Sequence, residues 1–490
     1  MALAKIREES PFYAFRNWAM YGFFLLIAFL TVMLSFELGS SFSAIIIVAS
    51  IALAVALLCF VRIEIGFYIL IALGFLQASA NRLLADRYPI TSMVLLIPYA
   101  LIGIVFYKGM QKKDLTWVIP WHPVLCMYFL ITGYLIVQLF NPNMGSLLGW
   151  FSSFWQDISY MLLLFLSCYI FSDLRRIRFF FKFMLSIIFV TALYGCIQQW
   201  FGLSFYDSRW VNSDPHIRGL FSLPNGGLRK FSFLTDPANY GTLMAGGAVA
   251  SLILLIRRPY GKWNKRVLGT FSFVIILGMS YSGTRTANIM IFAGIGLYIL
   301  LTLYQKRTQI LAVVALVVFA FILYAPIHSN VTLNRFRSAF YASDDPSMNV
   351  RLVHRKMLQP YMHSHPFGGG VNTVGGPGAK YNPDHFLAGF PPDGAYFGTA
   401  LNVGWVGLAL ECIFYFIVLV YCVHYFYKCR NKEIKTYYAV MAAMLFSLFL
   451  GAYAQFTVSS VPQSLLFTAM LAIIIKLHTF DTPELSKTNL

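Results

Sequence analysis

The chain is a succession of long apolar runs separated by short polar breaks. A helix needs roughly 20 apolar residues to cross a hydrocarbon core about 30 Å thick. Fourteen such runs can be placed, beginning near Trp18, Ser43, Ile65, Ile90, Pro120, Phe151, Phe179, Ala238, Val267, Ala287, Gln309, Tyr396, Tyr437 and Ser459, with Pro98 interrupting the fourth. The runs are unbroken rather than alternating, which points to helices and away from the strands of a membrane β-barrel. The pattern predicts an all-α polytopic membrane protein of 12–14 transmembrane helices, forming one integral membrane domain over residues 1–490.

Composition narrows the class. Of 490 residues, 59% are hydrophobic and 11% charged, whereas a soluble domain carries about 25% charged residues. A soluble enzyme, a coiled coil and a disordered chain are excluded. The run after Trp18 is too long for a signal peptide and reads as a retained first helix. The seven cysteines show no CxxC or Cys/His ligand spacing, so neither a disulfide framework nor a zinc site is indicated.

The net charge of +18 changes the picture less than it first suggests. Lys and Arg favour cytoplasmic loops. With the N-terminus inside, about two-thirds of them fall on the cytoplasmic side, including Arg175-Arg176-Arg178, Arg257-Arg258 and Lys428, Arg430, Lys432 and Lys435. The charge reads as topology, with both termini cytoplasmic, and not as nucleic-acid binding. Two loops break the rule: residues 202–237 and 326–395 fall outside, yet carry ten Lys and Arg. Long loops on a rigid scaffold are where function concentrates.

Five clusters in or beside these loops carry candidate chemistry. Arg229-Lys230 precedes Asp236-Pro237, where Asp reads as a helix N-cap with Pro at the first helical position. Ser282-Gly283-Thr284-Arg285-Thr286 is a turn so tight that Arg285 must lie at a membrane face; Thr284 or Thr286 is a candidate cap, and the Arg suits either a phosphate or lipid headgroups. Arg351 and Arg355 share one face of an expected amphipathic helix whose apolar stripe is Val350, Val353, Met357 and Leu358. His363-Ser364-His365 precedes Gly368-Gly369-Gly370; two His at that spacing are a weak metal signal and a plain loop is favoured. Finally Asp384-His385 and Pro392-Asp393-Gly394 open the twelfth run, with Asp393 and His385 the best-placed groups for proton transfer, although Asp393 also reads as an N-cap. Asp157 and Glu411 fall within spans, where an ionisable group suggests function.

In this order the clusters resemble the O-antigen ligase and O-antigen polymerase superfamily of bacterial envelope glycosyltransferases, over roughly Thr191 to Gly451. The resemblance rests on Arg229 with Pro237 and Asn239, on Ser282 with Arg285, and on Arg351 before Pro366, Gly368 and Gly370. It ends on Asp393, Gly394 and Tyr396 followed by Gly404, Gly407 and Leu408. Asp393 stands where ligases carry a His.

The resemblance implies a GT-C-type fold with two enlarged periplasmic loops in the bacterial inner membrane. It also implies an inverting, metal-independent transfer, without a cofactor, of a glycan from undecaprenyl diphosphate to a glycan, lipid or protein acceptor. Arg229, Arg285, Arg351 and Arg355 would bind the diphosphate, and Asp393, or failing it His385, would take the acceptor's proton at a periplasmic site. Repeat-unit polymerisation is the leading expectation, with O-antigen ligation or protein O-glycosylation as alternatives. Membrane lipids are expected partners and nucleic acid is not. A lipid-linked oligosaccharide flippase is the reading of another class, and it would place its Arg and Lys within the spans.

Overall fold

The computed structural model describes residues 61–83, 90–112, 121–223, 227–257, 264–324 and 346–481, together with positions 59, 326, 334 and 337. The expected spans near Trp18 and Ser43 lie outside the described residues. The chain divides into two compact units, Met1–Ile69 and Leu70–Leu490, and every contact below lies within the second. Among the described residues the structure is helical, with no strand beyond two isolated bridges.

Helices α1 (Ile63–Leu83), α2 (Ile90–Lys112), α3 (Pro123–Val137), α4 (Leu147–Ile170) and α5 (Leu174–Trp200) precede the first long loop, which folds into α6 (Phe205–Val211) and α7 (Pro215–Phe221). Then come α8 (Pro237–Arg257), α9 (Lys265–Tyr281), α10 (Arg285–Thr302) and α11 (Lys306–Tyr324). The second loop carries α12 (Pro346–Ser364) and α13 (Gly375–Tyr381), and α14 (Ala395–Lys428), α15 (Lys432–Gly451) and α16 (Gln463–Lys476) complete the chain. Each of the twelve expected spans that falls in described residues is a helix. Among the described residues, nine helices are long and apolar enough to cross a membrane. The shortfall has local causes: α9 is 17 residues long, the apolar part of α2 is Val94–Tyr107, and α4 carries Ser152, Ser153, Gln156 and Asp157 in its first half.

Helices α8 and α15 form the centre. In each, 83% of the most apolar stretch is buried, against 6% for α11, whose apolar surface is exposed. The Gly/Ala run Ala245–Gly246–Gly247–Ala248 on α8 has no bulk to keep neighbours away, so α5, α9, α10 and α15 all pack against this helix.

Both long loops leave and re-enter the bundle at one end, the loop end. There Arg82 is buried with its guanidinium on Asp207 (3.1 Å), Leu234 O (2.6 Å), Ser79 Oγ (2.9 Å) and Ser232 O (3.0 Å). Asp207 also accepts from Tyr194 (2.8 Å) and Gln198 (3.1 Å). A buried charge must be paired and fully hydrogen-bonded, and this network fixes the first loop over its small core of Val211, Phe221 and Phe231.

The second loop is anchored by a break in α14. Gly404 leaves the helical conformation (φ 72°) and frees backbone groups in mid-helix. The glycine-rich stretch answers them: Gly369 N donates to Leu401 O (2.8 Å), Gly370 N to Asn402 O (3.0 Å), and Trp405 N to Pro366 O (2.9 Å). Backbone that breaks a spanning helix persists only when neighbours satisfy its groups. The Gly368–Gly370 run is a loop, as expected, and its backbone partners the α14 break.

Candidate active site

The turn between α9 and α10 is built from its small side chains. Ser282 Oγ donates to Met279 O (2.6 Å) and accepts from Thr284 N (3.1 Å), closing the turn. Thr284 sits at the N-cap of α10 but makes no side-chain capping bond; its hydroxyl donates instead to Pro237 O (2.8 Å), tying α10 to the first turn of α8. The capping expected of Thr284 is thus diverted, because α8 approaches too closely: a Cβ on Gly241 would lie 2.5 Å from Ser282 Oγ. Asp236 does cap α8, accepting from Ala238 N (2.8 Å) and Asn239 N (2.9 Å).

Arg229 braces this turn from the first loop. Its Nε donates to Ser282 O (3.0 Å), Nη2 to Thr284 Oγ1 (3.0 Å) and Nη1 to Leu220 O (3.4 Å). The backbone repeats the docking, with Lys230 N on Tyr281 O (3.1 Å). Lys230 itself is buried, and that burial pushes its ammonium below the usual lysine range. Arg285 begins α10 immediately after this braced turn, at the positive end of the helix dipole.

Helix α12 reverses the expected amphipathic arrangement. Val350, Leu352, Val353 and Met357 are exposed, while Arg351, His354, Arg355, Tyr361 and His365 are half-buried and Leu358 is fully buried against Val374, Leu387 and Leu401. Arg351, His354 and Arg355 are partly covered because the loop packs under the helix, whereas Lys356 stays exposed. Arg285 is partly buried and, beyond that burial, interacts electrostatically with Arg351, far from it in sequence. Arg355 is engaged elsewhere: both terminal nitrogens donate to Tyr453, one to the hydroxyl and one to the carbonyl at 3.3 Å, with the guanidinium 4.3 Å over the ring.

Asp393 is not a helix cap. Gly394 holds the N-cap position of α14, and Asp393 Oδ2 lies 2.9 Å from His354 Nδ1. The His354 ring meets Phe390 edge-on at 4.9 Å. His354 was legible only as part of the Arg351 motif; the signal was its i+3 spacing from Arg351, which places both on one face.

His385 belongs to a different neighbourhood. Its Nδ1 accepts from Leu387 N (3.1 Å) and its Nε2 is 3.5 Å from Tyr361 OH. Burial, then the nearby His365, holds the imidazole below its ordinary value. Tyr361 is ten residues beyond Arg351 on the same helix, about 15 Å along its axis, whereas His354 is under one turn away. The structure thus brings Asp393, through His354, to the arginine end of α12 and leaves His385 at the other. His365 stacks on Tyr361 at 4.0 Å while the His363 ring lies 6.2 Å from that of Trp405, so the two rings are engaged separately. The two intramembrane acids have neighbours too: Asp157 accepts from Thr132 (2.7 Å) and Tyr128 (3.4 Å), and Glu411 from Tyr415 (2.7 Å).

Residues 268–412 match the O-antigen ligase family. The matched segment, from α9 into α14, is similar to that family and covers under a third of the chain. The matched stretch holds Arg285, Arg351, His354, His385, Asp393 and the Gly404 break. Arg229 precedes it, yet hydrogen-bonds to Ser282 and Thr284 within it. Comparison with curated proteins returns no match. The apolar helices among the described residues and this matched segment together fit a multi-pass membrane protein similar to O-antigen ligases.

Proposed function

We propose that the chain is an inverting, metal-independent polymerase of O-antigen or exopolysaccharide repeat units. It transfers a glycan from undecaprenyl diphosphate to an acceptor hydroxyl at the periplasmic face of the bacterial inner membrane. The observation that carries this reading is the convergence of Arg285 and Arg351, from the α9–α10 turn and from α12, beside the His354–Asp393 pair.

Arg285 and Arg351 carry like charges that interact, and a dianionic ligand shared by both offsets that interaction. The diphosphate is the leaving group, so stabilising its developing charge is the main catalytic task. Arg285 and Arg351 contact it, while Arg229 positions the turn that presents Arg285 and adds its own charge. Arg355, held by Tyr453, sets the orientation of α12.

The acceptor oxygen attacks the anomeric carbon, the carbon–oxygen bond to the diphosphate breaks, and its electron pair leaves with the phosphate. Asp393 accepts the Nδ1 proton of His354 in a hydrogen bond, which leaves Nε2 of that ring with the lone pair that takes the acceptor's proton. His354 thus becomes the base and Asp393 the carboxylate that orients it; His385, two turns away, positions the loop. A polymerase is preferred to a ligase because an Asp stands at the ligase His position. A flippase is disfavoured because the converging cations sit at the loop end rather than within the spans. Transfer from a polyprenyl-diphosphate-linked repeat unit by purified protein in liposomes tests the reading: elongated product with release of polyprenyl diphosphate is expected, and translocation without bond formation would contradict it.

A further inference from the structure

At the opposite end of the bundle, the end of α8 and the α10–α11 and α14–α15 turns border a cavity of about 620 Å³ lined by Arg257, Arg307, Arg430, Lys432 and Lys435. Helix α8 runs 21 residues from the loop end to Arg257, about 30 Å at 1.5 Å per residue, so no diphosphate touches both this cavity and Arg285. Among the described residues no carboxylate lines it. Two acids bonded close by are committed: Asp481 accepts from Arg430 N (2.7 Å) and Asn431 N (2.9 Å), and Glu433 accepts from Arg178 (2.7 and 3.0 Å). Topology alone accounts for basic residues at this end, but not for their gathering from α8, the α10–α11 turn and the α14–α15 turn around one space.

A second observation points to a ligand. Arg257 lies 5.1 Å over the Phe426 ring, and its Nη1 is shut off from solvent without a hydrogen-bond acceptor among the described residues. A buried guanidinium donor carries a desolvation cost that an anionic acceptor removes. The size is that of ligand pockets, about 300–1,000 Å³. Its wall includes Arg307 and Thr308 in the first turn of α11, the helix whose apolar stretch is least covered by the rest of the protein.

We propose that this cavity binds a phosphate anion, as the headgroup of an anionic membrane lipid or as a soluble phosphate, at a site separate from the transferase centre. Basic pockets between spanning helices take such headgroups. The proposal does not depend on the reading of the loop end.

Native mass spectrometry of the purified full-length protein tests it, comparing retention of phosphatidylglycerol with that of phosphatidylcholine. Wild type should prefer phosphatidylglycerol, and the double variant Arg307→Gln with Lys432→Gln should weaken that preference by on the order of thirtyfold. The charge-preserving pair Arg307→Lys with Lys432→Arg, whose fold is checked by the same spectrum, should keep it. Displacement by millimolar inorganic pyrophosphate assigns the site to a soluble anion; resistance to it assigns the site to lipid. Equal retention of both lipids by wild type with no shift of melting temperature on adding pyrophosphate, or full preference in the neutralised variant, overturns the proposal.

Discussion

His354 Nδ1 lies 2.9 Å from Asp393 Oδ2, joining a helix of the second loop to the mouth of α14. If this pair carries the proton, removal of either member lowers turnover by roughly 10²–10⁴-fold. His354→Gln and Asp393→Asn should then each be severe, and the double variant little worse than the more damaged single. Initial transfer rates of the three proteins check this; additive losses, or an active His354→Gln enzyme, would return the role to Asp393 alone or to His385.

Arg229→Lys keeps the charge but cannot reproduce the paired bonds to Ser282 O and Thr284 Oγ1. Hydrogen bonds from a charged group contribute about 1.5–3 kcal/mol. A lower melting temperature together with reduced transfer is expected. A lysine variant matching wild type in both would mean that Arg229 acts only through its charge.

Gly404→Ala should be among the most damaging glycine substitutions. It places a side chain at φ 72°, with its Cβ 2.0 Å from Pro366 O. Strain of this kind costs about 1–3 kcal/mol before the clash is added. Gly296→Ala is the control, since a Cβ there meets nothing within 4 Å. Thermal unfolding in detergent should show a clear drop for the first and no loss for the second.

His385 supplies a pH test. Its imidazole is held below the ordinary value of 6.5, chiefly by burial. The folded state therefore resists protonation more than the unfolded chain does. The associated stability is fully present above about pH 6.5 and is lost as pH falls through the lowered folded value. In His385→Asn, where the amide oxygen can still accept from Leu387 N, melting temperature should fall less steeply below pH 6.5; an unchanged slope would show that other groups set it.

Much of this was legible along the chain. The twelve spans within described residues and the Asp236 cap follow from apolar run length and from Asp-Pro placement, which are local signals. What was not legible depends on tertiary partners. Thr284 reads as a cap until α8 is seen to approach through Gly241; Asp393 reads as a cap until His354 is brought beside it. The spacing of Arg351 and Arg355 gives a shared face but not its direction, and only the core around Leu358 brings that face partly under cover. The glycines after Pro366 find their partner at Gly404, some 35 residues on, where sequence alone shows no break.

The central claim is that Arg285 and Arg351 grip one diphosphate. Its most direct test is single-turnover transfer from a polyprenyl-diphosphate-linked sugar by wild type, Arg285→Ala and Arg351→Ala in proteoliposomes at matched protein. The account predicts that each variant loses on the order of 10²–10³-fold in rate while the melting temperature is kept. Transfer within a few-fold of wild type in either variant contradicts it.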